Sequence, residues 1–142
     1  MGEKRVKKEL NKYFYIVKKI ENKEKLINQY KDNRGLKASQ GSEVHTNNNS
    51  SIDEIITDKI IDIESEVKEL RKKALTVYKD TMKLIDNVDN DTYKNILIAR
   101  HINLKSWGVI ANELNYSKSY LCTTLYPNAL RYFEKIVFNS IQ

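Results

Sequence analysis

The chain has 142 residues, of which 40% are hydrophobic and 31% are charged, and its formal net charge is +6. Four glycines and one proline leave few helix breakers, which favours an all-α fold over a sheet. One cysteine and two histidines exclude an internal disulfide and the usual zinc sites. No apolar stretch approaches the roughly 18 residues of a bilayer span. We therefore expect a cytoplasmic protein without membrane contact, metal or cofactor.

Residues 3–33 are predicted to form one helix, because apolar residues recur at spacings of four and three. Residues 1–34 hold 11 Lys or Arg and 5 Asp or Glu, so this helix is basic. A basic helix can lie on nucleic acid, and it can equally pair with an acidic helix of the same chain. The apolar stripe is interrupted at Glu24 and runs through Val6, Leu10, Tyr13, Val17, Ile20 and Ile27.

Residues 35–51, GLKASQGSEVHTNNNSS, break the apolar pattern. They combine two glycines, four serines and three consecutive asparagines, a composition typical of a flexible linker. His45 lies inside this segment, where we expect it to be solvated.

Residues 52–88 carry the clearest periodicity of the chain and predict a long amphipathic helix. Ser51, with Glu54 three residues later, forms a capping box at its start. The apolar stripe must pack on helix 3–33, on a second copy of the chain, or on both, so self-association through 52–88 is expected. Its spacing alternates between three and four through Ile56, Ile60, Ile63, Val67, Leu70, Ala74, Val77, Thr81, Leu84 and Val88.

Residues 87–91, NVDND, predict a turn, after which Asp91 can cap a helix that ends near Asn103. Arg100 and His101 fall near the C-terminal end of that helix, where positive charge suits the helix dipole. A structural or surface role is expected for His101.

The stretch KSWGVIANELNYSKSYL, residues 105–121, meets the requirements of a helix-turn-helix. Ser106 caps the first helix, Ala111 is the small residue at the crossing, and Asn115 suits a left-handed turn. Ser117 then caps the second helix. The residues expected to form the motif's core are Trp107, Ile110, Ala111, Leu114, Tyr116 and Leu121.

Residues 97–114, LIARHINLKSWGVIANEL, and 129–136, ALRYFEKI, resemble the C-terminal domain of phage-encoded regulators of the ArpU/RinA type. Those proteins in turn resemble region four of bacterial sigma factors. The resemblance implies late-gene control, binding to double-stranded DNA and docking on host RNA polymerase. It is carried by Arg100, Trp107, Ile110, Ala111, Leu114, Tyr116, Ser117, Ala129 and Leu130.

The chain departs from that pattern at several positions. His101 stands where the family often has Tyr, Thr124 falls where an apolar residue is expected, and Leu125 comes one position late. Pro127 predicts a kink or break near Tyr126, because proline removes a backbone donor and clashes one turn back. The recognition helix would then cover only 118–126, with Pro127 opening the next helix.

The outer face of the predicted recognition helix is weakly basic, and it lacks the arginine that most often reads bases. Lys105, Lys118 and Arg131 are expected on phosphates, with Ser119 and Thr123 on base edges. Cys122 either contacts a thymine methyl or is a half-buried packing residue. The full set of expected DNA-binding residues is Lys105, Ser117, Lys118, Ser119, Cys122, Thr123 and Arg131.

No sequence pattern indicates catalysis, since there is no phosphate loop, no paired nucleophile and base, and no metal-spaced carboxylate set. The predicted organisation is a basic helix (1–34), a linker (35–51), a heptad helix (52–88) and a helix-turn-helix domain (89–142). The expected function is a phage or prophage DNA-binding transcriptional regulator in the cytoplasm of a bacterial host. The alternative is a structural or adaptor protein that uses the same helices for protein contacts without DNA.

Overall fold

The computed structural model describes the backbone of residues 2–40 and 47–141, and the side chains of residues 2–33 and 51–140. Over this part the chain is helical, with short connections and no strand, which confirms the predicted all-α class. In the same part no helix is both long and apolar enough to cross a membrane. The helices are α1 (Gly2–Leu10), α2 (Lys12–Gln40), α3 (Asn47–Asp86), α4 (Asp91–Leu97), α5 (Trp107–Leu114), α6 (Lys118–Tyr120) and α7 (Tyr126–Ile141), with a first π turn at Ile98–Ile102 and a second at Leu121–Leu125.

The basic N-terminal helix is divided at Asn11 into α1 and α2. Helical hydrogen bonds continue across the division, from the Asn11 amide to the Lys7 carbonyl at 2.9 Å and from the Tyr15 amide to the Asn11 carbonyl at 3.1 Å. The irregular position of this helix is therefore Asn11. The helix is regular at Glu24, where the apolar stripe of the sequence is interrupted.

The described residues of the predicted linker 35–51 are helical, which corrects its extent. Residues 35–40 continue α2, and residues 47–51 belong to α3. Adding a residue to an existing helix needs only one hydrogen bond, so polar residues of moderate propensity can extend a helix that packing has nucleated. Residues 41–46, which include His45, lie outside the described part of the chain.

Two predicted helix starts are also corrected. Because α3 begins at Asn47, Ser51 lies inside the helix and forms no capping box with Glu54. At α4 the cap is Asn90, whose extended backbone (φ −157°, ψ 116°) lets its side chain accept from the Tyr93 amide. Asp91 is instead the first helical residue, where its carboxylate suits the positive end of the helix dipole.

By its internal contacts the chain divides into a larger unit, Met1–Tyr15 with Ala74–Gln142, and a smaller unit, Ile16–Lys73. In the larger unit α1 packs on α7, because Val6 and Leu10 are buried in the same core as Phe133. The N-terminal turns thus fold with the C-terminal third of the chain. The other buried members of this core are Ile85, Val88, Ile96, Leu97, Ile102, Ile110, Ala111, Leu121, Leu125, Tyr126, Ala129 and Leu130.

In the smaller unit α2 and α3 pack in antiparallel directions. Ion pairs join Lys31 to Glu64, 3.9 Å apart, and Glu24 to Arg71, so later positions on α2 meet earlier positions on α3. The polar interruption at Glu24 is thereby occupied by a surface ion pair, a contact that contributes little to stability. The core consists of Ile27, Ile56, Ile60 and Val67, with Ile20, Tyr30 and Ile63 packed against it.

The heptad stripe of α3 is a packing surface along its whole length. All ten of its positions, Ile56 through Val88, are buried or half-buried within a single chain. In the smaller unit the stripe is covered by α2, which is one of the two arrangements predicted from the sequence. Self-association through 52–88 stays a prediction.

Adjacent isoleucines on α3 give a direct test of the packing stripe. Ile60 is 5% exposed and Ile61 is 56% exposed. Ile60→Asp would bury a charge, and we expect it to lower the free energy of unfolding by several kcal/mol. Ile61→Asp makes the same chemical change on the solvent side and should stay within about 0.5 kcal/mol of wild type. Urea denaturation followed by circular dichroism measures both, and equal losses for the two variants would contradict the packing described above.

Candidate nucleic-acid interface

The first helix of the candidate interface, α5, has a defined start and end. Ser106 is extended, and its Oγ accepts from the Val109 amide at 3.3 Å. Asn115 ends the helix in the left-handed region (φ 61°, ψ 40°). Around it the Asn115 amide donates to the Asn112 carbonyl and the Tyr116 amide to the Ala111 carbonyl, the two bonds of a Schellman end. Both helix ends therefore lie at the residues predicted from the sequence.

The second helix begins at Ser117, whose Oγ accepts from the Tyr120 amide at 3.1 Å. From Lys118 the chain stays helical through α6, the second π turn and α7. The predicted break near Tyr126 is absent, since Tyr126 keeps helical angles of −65° and −45°. Its amide donates five residues back to Leu121, and this wider turn precedes Pro127, so the proline is accommodated without a break. The recognition helix predicted to end at residue 126 therefore continues into α7, and Pro127 lies in the first turn of α7, as expected.

The second π turn also accounts for the irregular apolar spacing. A π turn inserts one extra residue into an α-helix. Thr124 is consequently exposed, while Leu125, one position late in the sequence pattern, is buried.

Packing of the predicted motif core agrees with the sequence except at one residue. Ile110, Ala111 and Leu121 are buried, and Trp107 and Leu114 are half-buried against the same core. Tyr116, expected as an apolar plug, is instead exposed, with its ring 5.8 Å from that of Tyr120. Tyr116 lies in the short turn between the left-handed Asn115 and the Ser117 cap, and in this turn its side chain faces solvent.

Trp107 is held between two partners at the start of α5. Its ring meets that of Tyr126 edge-on, with centroids 4.5 Å apart. The Arg100 guanidinium lies over the indole ring, 4.6 Å from its centroid, and donates to the Lys105 carbonyl at 3.0 Å. These contacts fix the approach of the first π turn to α5.

The expected DNA-binding residues differ in their availability to a ligand. Lys118 and Ser119 are exposed, and the Ser117 hydroxyl oxygen already accepts the capping bond. Thr123 is exposed, but its hydroxyl donates to the Ser119 carbonyl of its own helix at 2.7 Å. Cys122 is half-buried.

The other two expected phosphate contacts have polar partners. The Lys105 ammonium pairs with both carboxylate oxygens of Glu113, at 3.2 and 2.9 Å, which offsets its charge. Arg131 is exposed on α7 and donates to the Asn128 side chain at 2.9 Å. Lys118 is therefore the cation of this group that the described residues leave without an ionic or hydrogen-bonded partner.

Three exposed residues of the helix pair were not predicted as interface residues. Val109 is 46% exposed and Tyr120 is 47% exposed, and Glu113 lies on the solvent side of α5. Tyr120 lies four residues after Tyr116, but Tyr116 precedes the Ser117 cap and is outside the helix, so helical spacing gave no signal for this pair. The resulting surface is aromatic and polar with few charges.

A separate basic surface is formed by α1. Lys4, Arg5 and Lys8 are exposed opposite the buried Val6 and Leu10. Within the described residues no carboxylate lies within ion-pair distance of these three side chains. Other lysines of this segment do have acidic partners: Lys7 pairs with Glu3, Lys12 with Glu9, Lys23 with Glu66 and Lys31 with Glu64.

The comparisons with known proteins add no relative: the chain matches no family model, no curated protein and no solved structure. Within the described residues, no three His, Cys, Asp or Glu side chains are grouped so that they could hold a metal ion.

His101 and Tyr126 form a buried polar contact between the two π turns. His101 is 3% exposed, and its Nε2 lies 2.8 Å from the Tyr126 hydroxyl. Burial, helped by Arg100 and Lys7, lowers the pKa of His101 from 6.5 to about 4. Burial raises the pKa of Tyr126 to about 12. Both groups are therefore neutral at pH 7, and together they supply one donor and one acceptor.

This contact predicts a loss of stability in acid. The unfolded chain takes up a proton at His101 below pH 6.5, whereas the folded chain resists it until about pH 4. The folded state should thus lose up to about 3 kcal/mol as pH falls from 6.5 to 4. Urea titrations across this window should give a shallower pH dependence for His101→Gln than for wild type. His45→Gln, at the only other histidine, should keep the wild-type slope, and parallel slopes for His101→Gln and wild type would contradict the assignment.

Proposed function

We propose that the chain is a DNA-binding transcriptional regulator of a phage or prophage, without enzymatic activity, in the cytoplasm of a bacterial host. The observation that carries the proposal is the helix pair, in which α5 ends at a left-handed Asn115 and a capped second helix follows directly. In that second helix Leu121 is buried, while Lys118 and Ser119 face solvent. A helix that reads DNA needs one buried face, which anchors it in its domain, and one exposed face, which enters the groove.

The contacts in this proposal divide by chemistry. Lys118 and Arg131 neutralise phosphates, and Lys105 contributes less because Glu113 already pairs with it. Ser119 contacts base edges. Thr123 offers DNA only an acceptor oxygen and a methyl group, because its hydroxyl proton is donated within its helix.

The unpaired cations of α1 support a further contact with the DNA backbone. The acidic middle helix takes its ion pairs from α2, at Lys23 and Lys31, and leaves Lys4, Arg5 and Lys8 without acidic partners in the described part of the chain. A cluster of three exposed cations on one short helix suits a polyanion. Late-gene control, docking on host RNA polymerase and self-association through 52–88 belong to the same proposal.

A protein-binding adaptor is the second candidate, and the exposed side chains Val109, Tyr116 and Tyr120 favour it. Aromatic residues are enriched at protein interfaces. Glu113 on α5 would also repel a phosphate backbone. The two candidates differ in the role of Lys118, which is needed for the first and dispensable for the second.

The first test is a binding titration on a DNA site selected from random sequences, at two salt concentrations. Lys118→Ala should weaken binding to all sequences and lower the salt slope by about 0.9. Ser119→Ala should cost about 1–3 kcal/mol on the selected site and little on random DNA. Lys83→Ala, at an exposed lysine of α3, is the matched control and should bind as wild type. If selection enriches no site and Lys118→Ala binds as wild type, the adaptor candidate replaces this one.

The second test distinguishes two roles for the basic N-terminal residues, contact with DNA and ion pairing with α3. Replacing Lys4, Arg5 and Lys8 together with Gln keeps helix propensity and removes three charges. DNA retention should fall on any sequence, while the unfolding curve stays near that of wild type. The control replaces Lys23 and Lys31 with Gln, which should lower stability slightly and leave retention unchanged. Wild-type retention by the triple variant would remove α1 from the proposed interface.

A further inference from the structure

The larger unit contains a cavity of about 170 Å³ that the proposed function does not use. It lies between the α1–α2 junction and the segment that connects the first π turn to α5. Its walls are one cation, one amide and three apolar or aromatic side chains. These are Arg100, Asn11, Phe14, Tyr15 and Leu104.

Arg100 is the charged group of this cavity. It is half-buried, and one of its nitrogens, Nη1, donates to the Lys105 carbonyl. No carboxylate lies within ion-pair distance of it among the described residues. A partly desolvated guanidinium with donors to spare and no counter-ion favours an anion, and its planar fork matches a carboxylate.

Leu104 gives a second, independent indication. Its φ of 55° lies in the left-handed region, which costs a non-glycine residue about 1 kcal/mol. Glycine would relieve this strain, but it would also remove the apolar wall that Leu104 gives the cavity. Strain retained at a cavity wall is characteristic of binding sites.

We propose that this cavity binds a small aromatic monocarboxylate. The carboxylate pairs with the donors of Arg100 that Lys105 leaves free, and the Asn11 amide supplies a further hydrogen bond. The ring of the ligand packs against Phe14 and Leu104, with Tyr15 at the rim, where it is 62% exposed. The volume limits the ligand to roughly a single ring, since sites for drug-sized molecules start at about 300 Å³.

Titration of the full chain with benzoate, in the absence of DNA and at constant ionic strength, tests the proposal. Heat of binding is the first readout. Emission of Trp107, the only tryptophan, is the second, because Arg100 lies over its ring. Benzoate should bind more tightly than acetate or inorganic phosphate, and benzamide, which lacks the charge, should not bind. Equal binding of benzamide, or of phosphate, would overturn the proposed ligand class.

Two variants assign the site. Arg100→Lys keeps the charge and loses the planar fork, so affinity for benzoate should fall about tenfold, as expected for one lost charged hydrogen bond. Arg71→Lys, the same change at an exposed arginine of α3, should leave affinity unchanged. Leu104→Gly should weaken benzoate binding several-fold without loss of folding, which keeps the test decisive if Arg100→Lys unfolds. Wild-type affinity in Leu104→Gly would overturn the site. None of these results depends on whether the chain binds DNA.

Discussion

Apolar burial along the final helical run is the interaction on which the larger unit depends. Leu121, Leu125, Ala129 and Phe133 follow one another at intervals of four, and all are buried. α1, α4 and α5 each contribute apolar side chains to the same core. A fully buried Leu or Phe contributes roughly 2 kcal/mol, so this stripe outweighs any surface ion pair in the chain. This burial also orients the helix pair, because Leu121 anchors the second helix in the core while Lys118 and Ser119 stay in solvent.

Of the two π turns, the second lies within that stripe. Each inserts one residue, and in the second turn the insertion brings Leu125 inward in place of Thr124. The first turn carries His101 and the second ends next to Tyr126, and the bond between these two side chains joins the turns. An imidazole held neutral by burial is compatible with this apolar setting, whereas a charged one is not. The same arrangement holds Trp107 against Tyr126 and places Arg100 over the indole, so two contacts fix the entry to α5.

The cations of the chain differ in whether a carboxylate already neutralises their charge. In the smaller unit, Lys23, Lys31 and Arg71 are engaged in pairs between α2 and α3. On the helix pair, Glu113 offsets Lys105 and leaves Lys118 as the free charge of the second helix. On α1, three cations remain without acidic partners in the part of the chain that the structure describes. A net charge of +6 is therefore a poor guide to a binding surface, because pairing, and not composition, decides which charges a ligand can meet.

The sequence by itself determined the all-α class and the heptad stripe of α3. It also determined the caps of the helix pair, Ser106 and Ser117, and the left-handed turn at Asn115. Helical periodicity and capping are local properties, which is why the sequence alone was sufficient for them. It failed where the continuation of a neighbouring helix or contacts between distant segments decide the outcome. Polar residues near Gln40 and Asn47 are helical although their composition is that of a linker, and Pro127 sits in a continuous helical run because a π turn precedes it. Tyr116 is exposed, although its place in the sequence pattern predicted burial. Only tertiary structure could bring Arg100 and Leu104 beside Asn11, since these residues share a cavity through packing between segments far apart in the chain.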